Sequence, residues 1–284
     1  MVGGSVRRLL IGGLGLTIKT CGPLPAVFAP FFSEVTGPAG ELALVVEQVG
    51  EIKPAGRLIS REEQFSCWRD GGCESVVLAG FDGVPIGCLT GADEWGSAIL
   101  CIRTGIDAEA VVKRLGEIYF RTALACRGWG LVLHAAGLAW AGRGLAFVGR
   151  SGMGKSTQAG LWEQHRGATI LNEDRPAVTL QRGCPELHGT PWSGSSSKRR
   201  PMSVPLASLV FLEQAPVNSA RQLTPAESIP LLLPRIFMPY WSAAGMEAAL
   251  TMAAQLVSRV HLIQLRCRPE LGAVECLESF LARA

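Results

Sequence analysis

The chain has 284 residues, of which 48% are hydrophobic and 18% charged, so it can form a buried core and is not a disordered protein. The formal net charge of +3 is too small to indicate nucleic-acid binding, and no apolar stretch is long enough to predict a membrane span. The mean hydropathy of +0.26 suits either a large core or apolar surface buried in a homo-oligomer.

The nine cysteines are scattered along the chain and no pair has CxxC spacing, which predicts structural thiols in a reducing compartment. Arg7 and Arg8 precede an apolar run over 9–16 that is interrupted by glycines and has no small-x-small cleavage site. This run predicts a first β-strand rather than a signal peptide. The cytoplasm is therefore the expected location.

Residues 1–127 predict a smaller α+β region in which short apolar runs alternate with Gly, Pro and charged turns. Its clearest predicted strands cover 42–46, 75–78 and 98–102. One helix is predicted over about 107–127, with Asp107 as its N-cap. The region contains no chemical motif, and we expect it to shape an acceptor site or an interface.

Residues 128–284 predict an α/β domain. Continuous apolar character predicts one strand over 131–140 and a second over 145–148, and a helix is predicted over 155–165. The further predicted elements are a strand over 168–171, its hairpin partner over 178–180, a strand over 208–212, helices over 225–237 and 246–259, a strand over 261–266 and a helix over 270–282. Residues 192–200 have the composition of a mobile loop.

A phosphate-binding motif occupies the start of this domain. The pattern GxxxxGK[ST] is matched without a gap by Gly149, Arg150, Ser151, Gly152, Met153, Gly154, Lys155 and Ser156, with Thr157 following. Glycines let backbone N–H groups point inward at a helix N-terminus, where they bind phosphate oxygens. Lys155 would contact the outer phosphates, and the Ser156 hydroxyl would bind Mg²⁺. The motif therefore predicts ATP and Mg²⁺ as cofactors, the alternative being a chance glycine turn.

Two carboxylates follow the next predicted strand. Glu173 and Asp174 come after the apolar run over 168–171, and ligands of open α/β sheets collect at the carboxyl ends of strands. Phosphoryl transfer needs one carboxylate at the metal and another that accepts a hydroxyl proton. We expect Asp174 to bind Mg²⁺ and Glu173 to act as the base. The alternative is a solvated turn.

Three features in this order resemble the HPr kinase/phosphorylase C-terminal domain, whose fold is related to ATP-dependent phosphoenolpyruvate carboxykinase. They are LHAAGLAW with His134, GRSGMGKST, and the acidic turn NED, within a match over about 128–283. The resemblance implies functional roles for His134, Lys155, Ser156, Glu173 and Asp174. Segments around GTPWSG and FLEQ resemble an HPr-kinase-related subgroup often found beside peptide-modifying biosynthetic genes, in which some relatives phosphorylate a peptide serine.

The chain also differs from that family. The family's acidic pair is usually Asp-Asp, whereas this chain has Glu173 and Asp174. A Glu-x-Arg-Gly-like segment, which marks the bifunctional enzyme, is not evident after the acidic turn. The resemblance therefore implies a kinase but does not extend to phosphorolysis of phosphoserine or to HPr itself as the acceptor.

Several other polar residues allow two interpretations each. Arg235 is a candidate for neutralising transition-state charge or a helix-surface arginine. The basic run over 198–200 either grips an acidic substrate or is solvated. His188 is a weak candidate for the pocket, while His165 and His261 are expected to be structural.

The sequence thus predicts an ATP- and Mg²⁺-dependent kinase that phosphorylates a hydroxyl, most simply a serine of a peptide or small protein. Two alternatives use the same loop. One is a carboxykinase-like enzyme acting on a small molecule, for which no convincing set of further basic ligands is found. The other is a non-catalytic nucleotide-binding partner in a peptide-modifying complex.

Overall fold

A computed structural model describes residues 5–34, 39–180, 183–194 and 198–283 of the chain. The chain divides into two compact units. The first comprises Met1–Gly128 and Met238–Ala248, and the second comprises Trp129–Phe237 and Ala249–Ala284. Each unit has its own sheet and is described separately.

The first unit contains an eight-stranded sheet. Its strands are β1 (Ser5–Ile11), β2 (Leu14–Thr20), β3 (Ala39–Val49), β4 (Arg57–Arg61), β5 (Phe65–Asp70), β6 (Cys73–Ala79), β7 (Pro85–Ala92) and β8 (Ser97–Arg103). They lie in the order β1-β2-β3-β8-β7-β6-β5-β4, with β3 parallel to both of its neighbours and the other pairs antiparallel. The predicted first strand over 9–16 is in fact the turn of the β1–β2 hairpin with its flanking residues.

The helix α1 (Ala108–Cys126) packs on this sheet. Asp107 caps it by accepting hydrogen bonds from the backbone N–H groups of Glu109 and Ala110, as predicted. Tyr119 anchors the buried face of the helix, because its hydroxyl lies 2.9 Å from the carbonyl oxygens of both Ala43 and Gly96. This unit also includes a short 3-10 helix over Ala26–Phe31.

The second unit contains nine strands. They are β9 (Gly130–Val132), β10 (Ala135–Trp140), β11 (Arg143–Val148), β12 (Thr169–Asn172), β13 (Ala177–Thr179), β14 (Glu186–His188), β15 (Ser203–Gln214), β16 (Ser219–Gln222) and β17 (His261–Cys267). The path through the sheet is β12-β10-β11-β15-β14-β13-β9, and β17 pairs with β15 and β16. Together with the helices, this sheet gives the mixed α/β fold that the sequence predicts.

Four strands of this sheet run in the same direction. β11 is parallel to β15, β15 is parallel to β17, and β10 is antiparallel to both β11 and β12. The carboxyl ends of β12, β11, β15 and β17 therefore meet at one edge of the sheet, where β10 begins. In α/β sheets this is the edge at which ligands bind.

The helices of the second unit are α2 (Lys155–Arg166), α3 (Pro225–Leu232) and α5 (Leu271–Leu281), and α4 (Ala243–Val257) begins in the first unit and ends in the second. Trp162 of α2 and Val274 and Leu277 of α5 lie in one core cluster with Phe147 of β11. This apolar core holds the strands and α2 in place and so fixes the edge of the sheet. Within the described ranges, no helix is both long and apolar enough to cross a membrane.

Three predicted elements of this unit were wrong in detail. The strand predicted over 131–140 is two strands, β9 and β10, which pair with different neighbours and are separated at Leu133 and His134. The segment predicted as a hairpin partner of the preceding strand instead pairs, as β13, with β9 and β14. The helix predicted over 225–237 ends at Leu232, and a 3-10 turn containing Pro234 follows, since proline cannot continue the helix.

Candidate functional site

The loop Gly149–Gly154, called the glycine loop below, joins β11 to α2 as the motif predicts. β11 is buried along five of its six residues, and α2 begins at Lys155. Gly152 and Gly154 have φ angles of 78° and 92°, a region that side chains with a Cβ rarely adopt. The loop can therefore turn tightly and leave the first N–H groups of α2 facing outward, which is the backbone arrangement needed to bind phosphate.

Lys155 lies beneath this loop. Its side chain is buried, and its Nζ atom donates hydrogen bonds to the carbonyl oxygens of Gly149 and Arg150, both at 3.1 Å. Burial lowers the pKa of Lys155, the positive charge of Arg235 lowers it further, and the negative charge of Asp174 opposes both. Charges from two other segments, at Asp174 and Arg235, therefore act on this ammonium group.

The acidic turn after β12 is organised by Asn172, which the sequence analysis did not single out. This fully buried side chain accepts hydrogen bonds through Oδ1 from the backbone N–H groups of Asp174 and Arg175 at 2.9 and 2.7 Å. Its Nδ2 donates to the carbonyl oxygens of Thr190 and Trp192. Because one side chain joins both segments, the position of the turn relative to 190–192 is fixed.

Asp174 sits between two basic side chains. Its Oδ1 lies 3.3 Å from His134 Nε2, and its Oδ2 accepts a hydrogen bond from Arg175 Nε at 3.0 Å. The hydrogen bond from His134, followed by those from Arg175, lowers the pKa of Asp174 to about 2, against the opposing effect of burial. Asp174 is thus ionised at any neutral pH and its two oxygens are oriented by neighbours.

The break between β9 and β10 places His134 beside this carboxylate. The residue was expected inside a strand, but its backbone N–H donates to the carbonyl of Arg235 at 2.7 Å instead of to a neighbouring strand of the sheet. The following residue, Ala135, pairs with Val148 at the end of β11, which puts His134 at the same edge as the glycine loop. His134 therefore lies near both the glycine loop and the acidic turn that contains Asp174.

Glu173 has a different environment. Its side chain is 10% exposed, and its Oε1 lies 3.9 Å from Nζ of Lys198, which also binds Glu163 at 2.6 Å. Residues 195–197 of the predicted mobile loop fall outside the described residues, but Gly194 lies close to Asp174, since a Cβ on it would be 2.8 Å from Oδ2. The two ends of the 192–200 segment therefore lie beside the two predicted functional carboxylates.

Arg235 and Arg175 add positive charge to the same edge. The positive charge of Arg235, in the 3-10 turn after α3, lowers the pKa of Lys155, and both interpretations of this arginine stay open. Arg175 binds Asp174 and lies over the ring of Phe237 at 5.3 Å. Arg175 was missed by the sequence analysis, although its place directly after the acidic pair was the available signal.

The remaining histidines are not part of this group. His188 is buried, its ring nitrogens contact Thr179 and Ser203 at 2.8 and 2.7 Å, and burial lowers its pKa to about 4. It is a hydrogen-bonded core residue, so its weak assignment to the pocket was wrong. His165 lies in the last turn of α2, and His261 begins β17, in keeping with structural positions.

The residues at the edge suit a magnesium ion better than a transition metal. No cluster of three or more His, Cys, Asp or Glu side chains that could hold a metal occurs in the described ranges. Mg²⁺ is usually held by one or two carboxylates together with phosphate oxygens and water, so such a cluster is not required. An oriented, ionised Asp174 at the sheet edge shared with the glycine loop and the exposed Ser156 matches that mode of binding.

The likeness of this chain to known proteins is structural and weak. No protein-family model matches the chain, and no curated protein matches it. A solved structure of the Hpr(Ser) kinase/phosphatase from Coxiella burnetii is similar over 54% of this chain and 88% of that chain, with a TM-score of 0.31 and 11% sequence identity. The function proposed below is therefore drawn from the chain's own residues.

Proposed function

We propose that the second unit is an ATP- and Mg²⁺-dependent kinase that transfers the terminal phosphoryl group of ATP to a hydroxyl, most simply a serine of a peptide or small protein. The observation that supports this most strongly is the meeting of three groups at one sheet edge: the glycine loop, Lys155, and the Asp174–His134 pair. The motif resemblance to HPr-kinase-related proteins points the same way.

The glycine loop and α2 would hold the phosphates. Outward N–H groups at the start of a helix bind anionic oxygens, and the helix dipole adds to the attraction. Lys155 would exchange its bonds to the carbonyls of Gly149 and Arg150 for phosphate oxygens. Its low exposure makes its charge effective, because a buried charge is less screened by water.

The metal would lie between the loop and the acidic turn. Ser156 and Asp174 are the residues that we assign to Mg²⁺, which when bound would neutralise charge on the phosphates. His134 and Arg175 hold the two oxygens of Asp174 in place, so His134 is assigned a positioning role. Arg235 would stabilise negative charge that develops during transfer.

The proton of the acceptor hydroxyl would pass to Glu173. A general base must be a free carboxylate close to the reacting hydroxyl, and Asp174 is already engaged by two basic side chains. Glu173 instead lies 3.9 Å from Nζ of Lys198, which belongs to the basic run 198–200 that would grip an acidic acceptor. In-line transfer to the bound hydroxyl needs mainly positioning and charge stabilisation, and no side chain has to carry the phosphoryl group first.

The test is to incubate the full chain with γ-labelled ATP, Mg²⁺ and candidate serine peptides, and to measure the intact masses of both partners. We expect one phosphoryl group on the acceptor and none on the enzyme. Label that appears stoichiometrically on the enzyme and can be chased to the acceptor would contradict direct transfer. Tight ATP binding without turnover on any hydroxyl acceptor would support the non-catalytic alternative.

A further inference from the structure

The hairpin between β6 and β7, in the first unit, ends in an exposed apolar tip. Phe81 is fully exposed and Val84 is 42% exposed. Single apolar side chains on a protein surface are common, but here two of them share one turn. The residues Phe81, Asp82, Gly83 and Val84 are called the hairpin tip below.

The hairpin tip is ordered although it is exposed. The N–H group of Gly80 donates a hydrogen bond to the carbonyl of Val84 at 2.9 Å, and that of Gly83 donates to the carbonyl of Gly80 at 3.0 Å. The N–H group of Val84 also donates to Oδ1 of Asp82 at 3.0 Å. Because the backbone of the tip is already fixed, Phe81 would lose little conformational freedom on contact with a partner.

A groove of about 360 Å³ lies beside the hairpin tip, within the first unit, and is called the tip groove below. It is lined by Pro54, Arg61, Glu62, Glu63, Gln64, Phe65, Ser66, Trp68, Val77, Ala79, Gly83 and Pro85. Gly83 and Pro85 belong to the hairpin, so the tip and the groove adjoin, and Phe65 and Trp68 give the groove aromatic walls. Phe81 does not fill this groove in its own chain, since its side chain is fully exposed.

Charges of opposite sign stand unpaired at the groove and at the tip. The exposed side chain of Arg61, which lines the groove, has no hydrogen-bond or ion-pair partner among the described residues. Within the same described ranges, Oδ2 of Asp82 also lacks a partner. Of the two carboxylates next to Arg61, Glu62 accepts a hydrogen bond from the hydroxyl of Tyr240 at 2.6 Å, and Glu63 is exposed.

A second copy of the chain fits this surface better than a lipid bilayer does. Because the tip adjoins the groove, a two-fold axis between two copies can place each Phe81 in the groove of the other, so that every contact is made twice. Each Asp82 would then approach the Arg61 of the other copy. A membrane surface attracts clusters of Lys and Arg, whereas this surface carries three carboxylates and a single arginine, at 61.

We propose that the first unit forms a symmetric homodimer in which Phe81 of each copy occupies the tip groove of the other. Buried aromatic anchors dominate the energetics of many protein interfaces, and Phe81 would be the anchor here. The proposal involves no residue of the glycine loop or the acidic turn, so it holds or fails independently of the proposed kinase function.

The first experiment is sedimentation equilibrium of the full chain. Between about 1 and 100 µM, the wild type should pass from 30.2 kDa toward twice that mass. Phe81→Ser should raise the dimer Kd at least about tenfold, because the anchor is lost. The control Val217→Ser removes a side chain that is 71% exposed in the second unit, and should change the Kd by less than about twofold. Thermal midpoints of both variants should match the wild type, since both side chains are exposed.

The second experiment reverses the charges one at a time. Arg61→Glu sets two carboxylates against each other at both contacts of its homodimer, and Asp82→Arg sets two arginines against each other. Each variant alone should raise the Kd at least about fivefold, since like charges repel. An equimolar mixture should dimerise within about twofold of the wild type, because the mixed dimer has an opposite-charge pair at both contacts. A mass tag on one variant identifies the mixed dimer.

Three results would overturn the homodimer. They are a wild type that stays at 30.2 kDa up to about 100 µM, a dimer that Phe81→Ser leaves unchanged, and charge variants whose mixture dimerises no better than either alone. Phosphatidylcholine vesicles test the lipid alternative. A monomeric wild type that sediments with them, when Phe81→Ser does not, would assign the hairpin tip to a membrane instead.

Discussion

The two sides of the glycine loop differ in how far their polar groups are already paired. On one side, Asp174 is bound by His134 and Arg175, and its turn is held by Asn172. On the other side, a cavity of about 620 Å³ follows the ends of β11, β15 and β17, and its walls combine apolar side chains with the amides of Gln158 and Gln214. The Oε1 atom of Gln158 has no hydrogen-bond partner among the described residues. The side with Asp174 is ordered by ion pairs and hydrogen bonds, which suits phosphoryl transfer. The side with the cavity offers a shaped surface, which suits ligand binding. Substitutions on the first side should therefore mainly change kcat, and those on the second should mainly change KM.

The largest loss of activity is expected at Lys155, in the glycine loop between the two sides. Lys155→Ala should reduce phosphoryl transfer by about 10²–10³-fold, because one preorganised cationic donor to the phosphates is removed. Rates with labelled ATP measure this. Lys53→Ala is the control, since the Lys53 side chain is 78% exposed in the first unit. Unchanged turnover in a folded Lys155→Ala protein would remove the glycine loop from the mechanism.

The acidic side can be divided by two conservative substitutions. Glu173→Gln should retain ATP binding and lose transfer, because an amide cannot accept the hydroxyl proton. Asp174→Asn should increase the Mg²⁺ concentration needed for half-maximal activity, since an amide is a weaker ligand for this ion. Titrations of Mg²⁺ and ATP on both variants measure the difference. If Asp174→Asn loses the proton-accepting step while Glu173→Gln transfers normally, the two roles are exchanged.

A smaller effect is expected for His134, which we place behind Asp174 rather than at the phosphates. His134→Phe should lower activity by about 10–100-fold, because residues that orient a metal ligand typically contribute this much. The Mg²⁺ requirement should shift in the same direction as in Asp174→Asn, and the affinity for ATP should be preserved. A purely structural histidine would lower stability without shifting the Mg²⁺ requirement.

The smallest effect concerns acid stability. The folded-state pKa of Asp174 is about 2, below its usual value of 3.8, so its stabilising contribution is present above about pH 4 and is lost as the pH falls toward 2. Asp174→Asn should therefore be less stable than the wild type by about 2 kcal/mol near neutral pH, and this difference should disappear near pH 2. Urea unfolding midpoints across this range measure it. Asp70→Asn is the control at an exposed carboxylate.

The sequence predicted those parts of the site that are local. The glycine loop, the helix after it and the strand before it follow from one short motif and from continuous apolar character. The α/β class and the Asp107-capped helix of the first unit were also accessible, because caps and periodicity depend on near neighbours. The electrostatic effect of Asp174 on Lys155 was not predicted from the sequence, because the two residues come from different segments.

The features that the sequence did not predict depend on pairing between segments that are distant in the chain. The apolar residues on both sides of His134 do not reveal the break there, because it arises only when β9 and β10 pair with different strands. The cavity beside the glycine loop is built from 152–154, 157–158, 214–216 and 267–269, and none of these segments has a distinctive composition apart from the loop. Which carboxylate serves as base, and which residues bind ATP and Mg²⁺, stay predictions.

The hydrogen bonds of Lys155 to two backbone carbonyl oxygens affect the reactivity of its amine. An amine that is buried and donates to two carbonyl oxygens is poorly accessible to acylating reagents, whereas exposed lysines react readily. The loop would thus shield its own lysine from adventitious acetylation until an anion draws the ammonium group outward. A phosphate chain that binds this ammonium group must displace the carbonyl oxygens of Gly149 and Arg150.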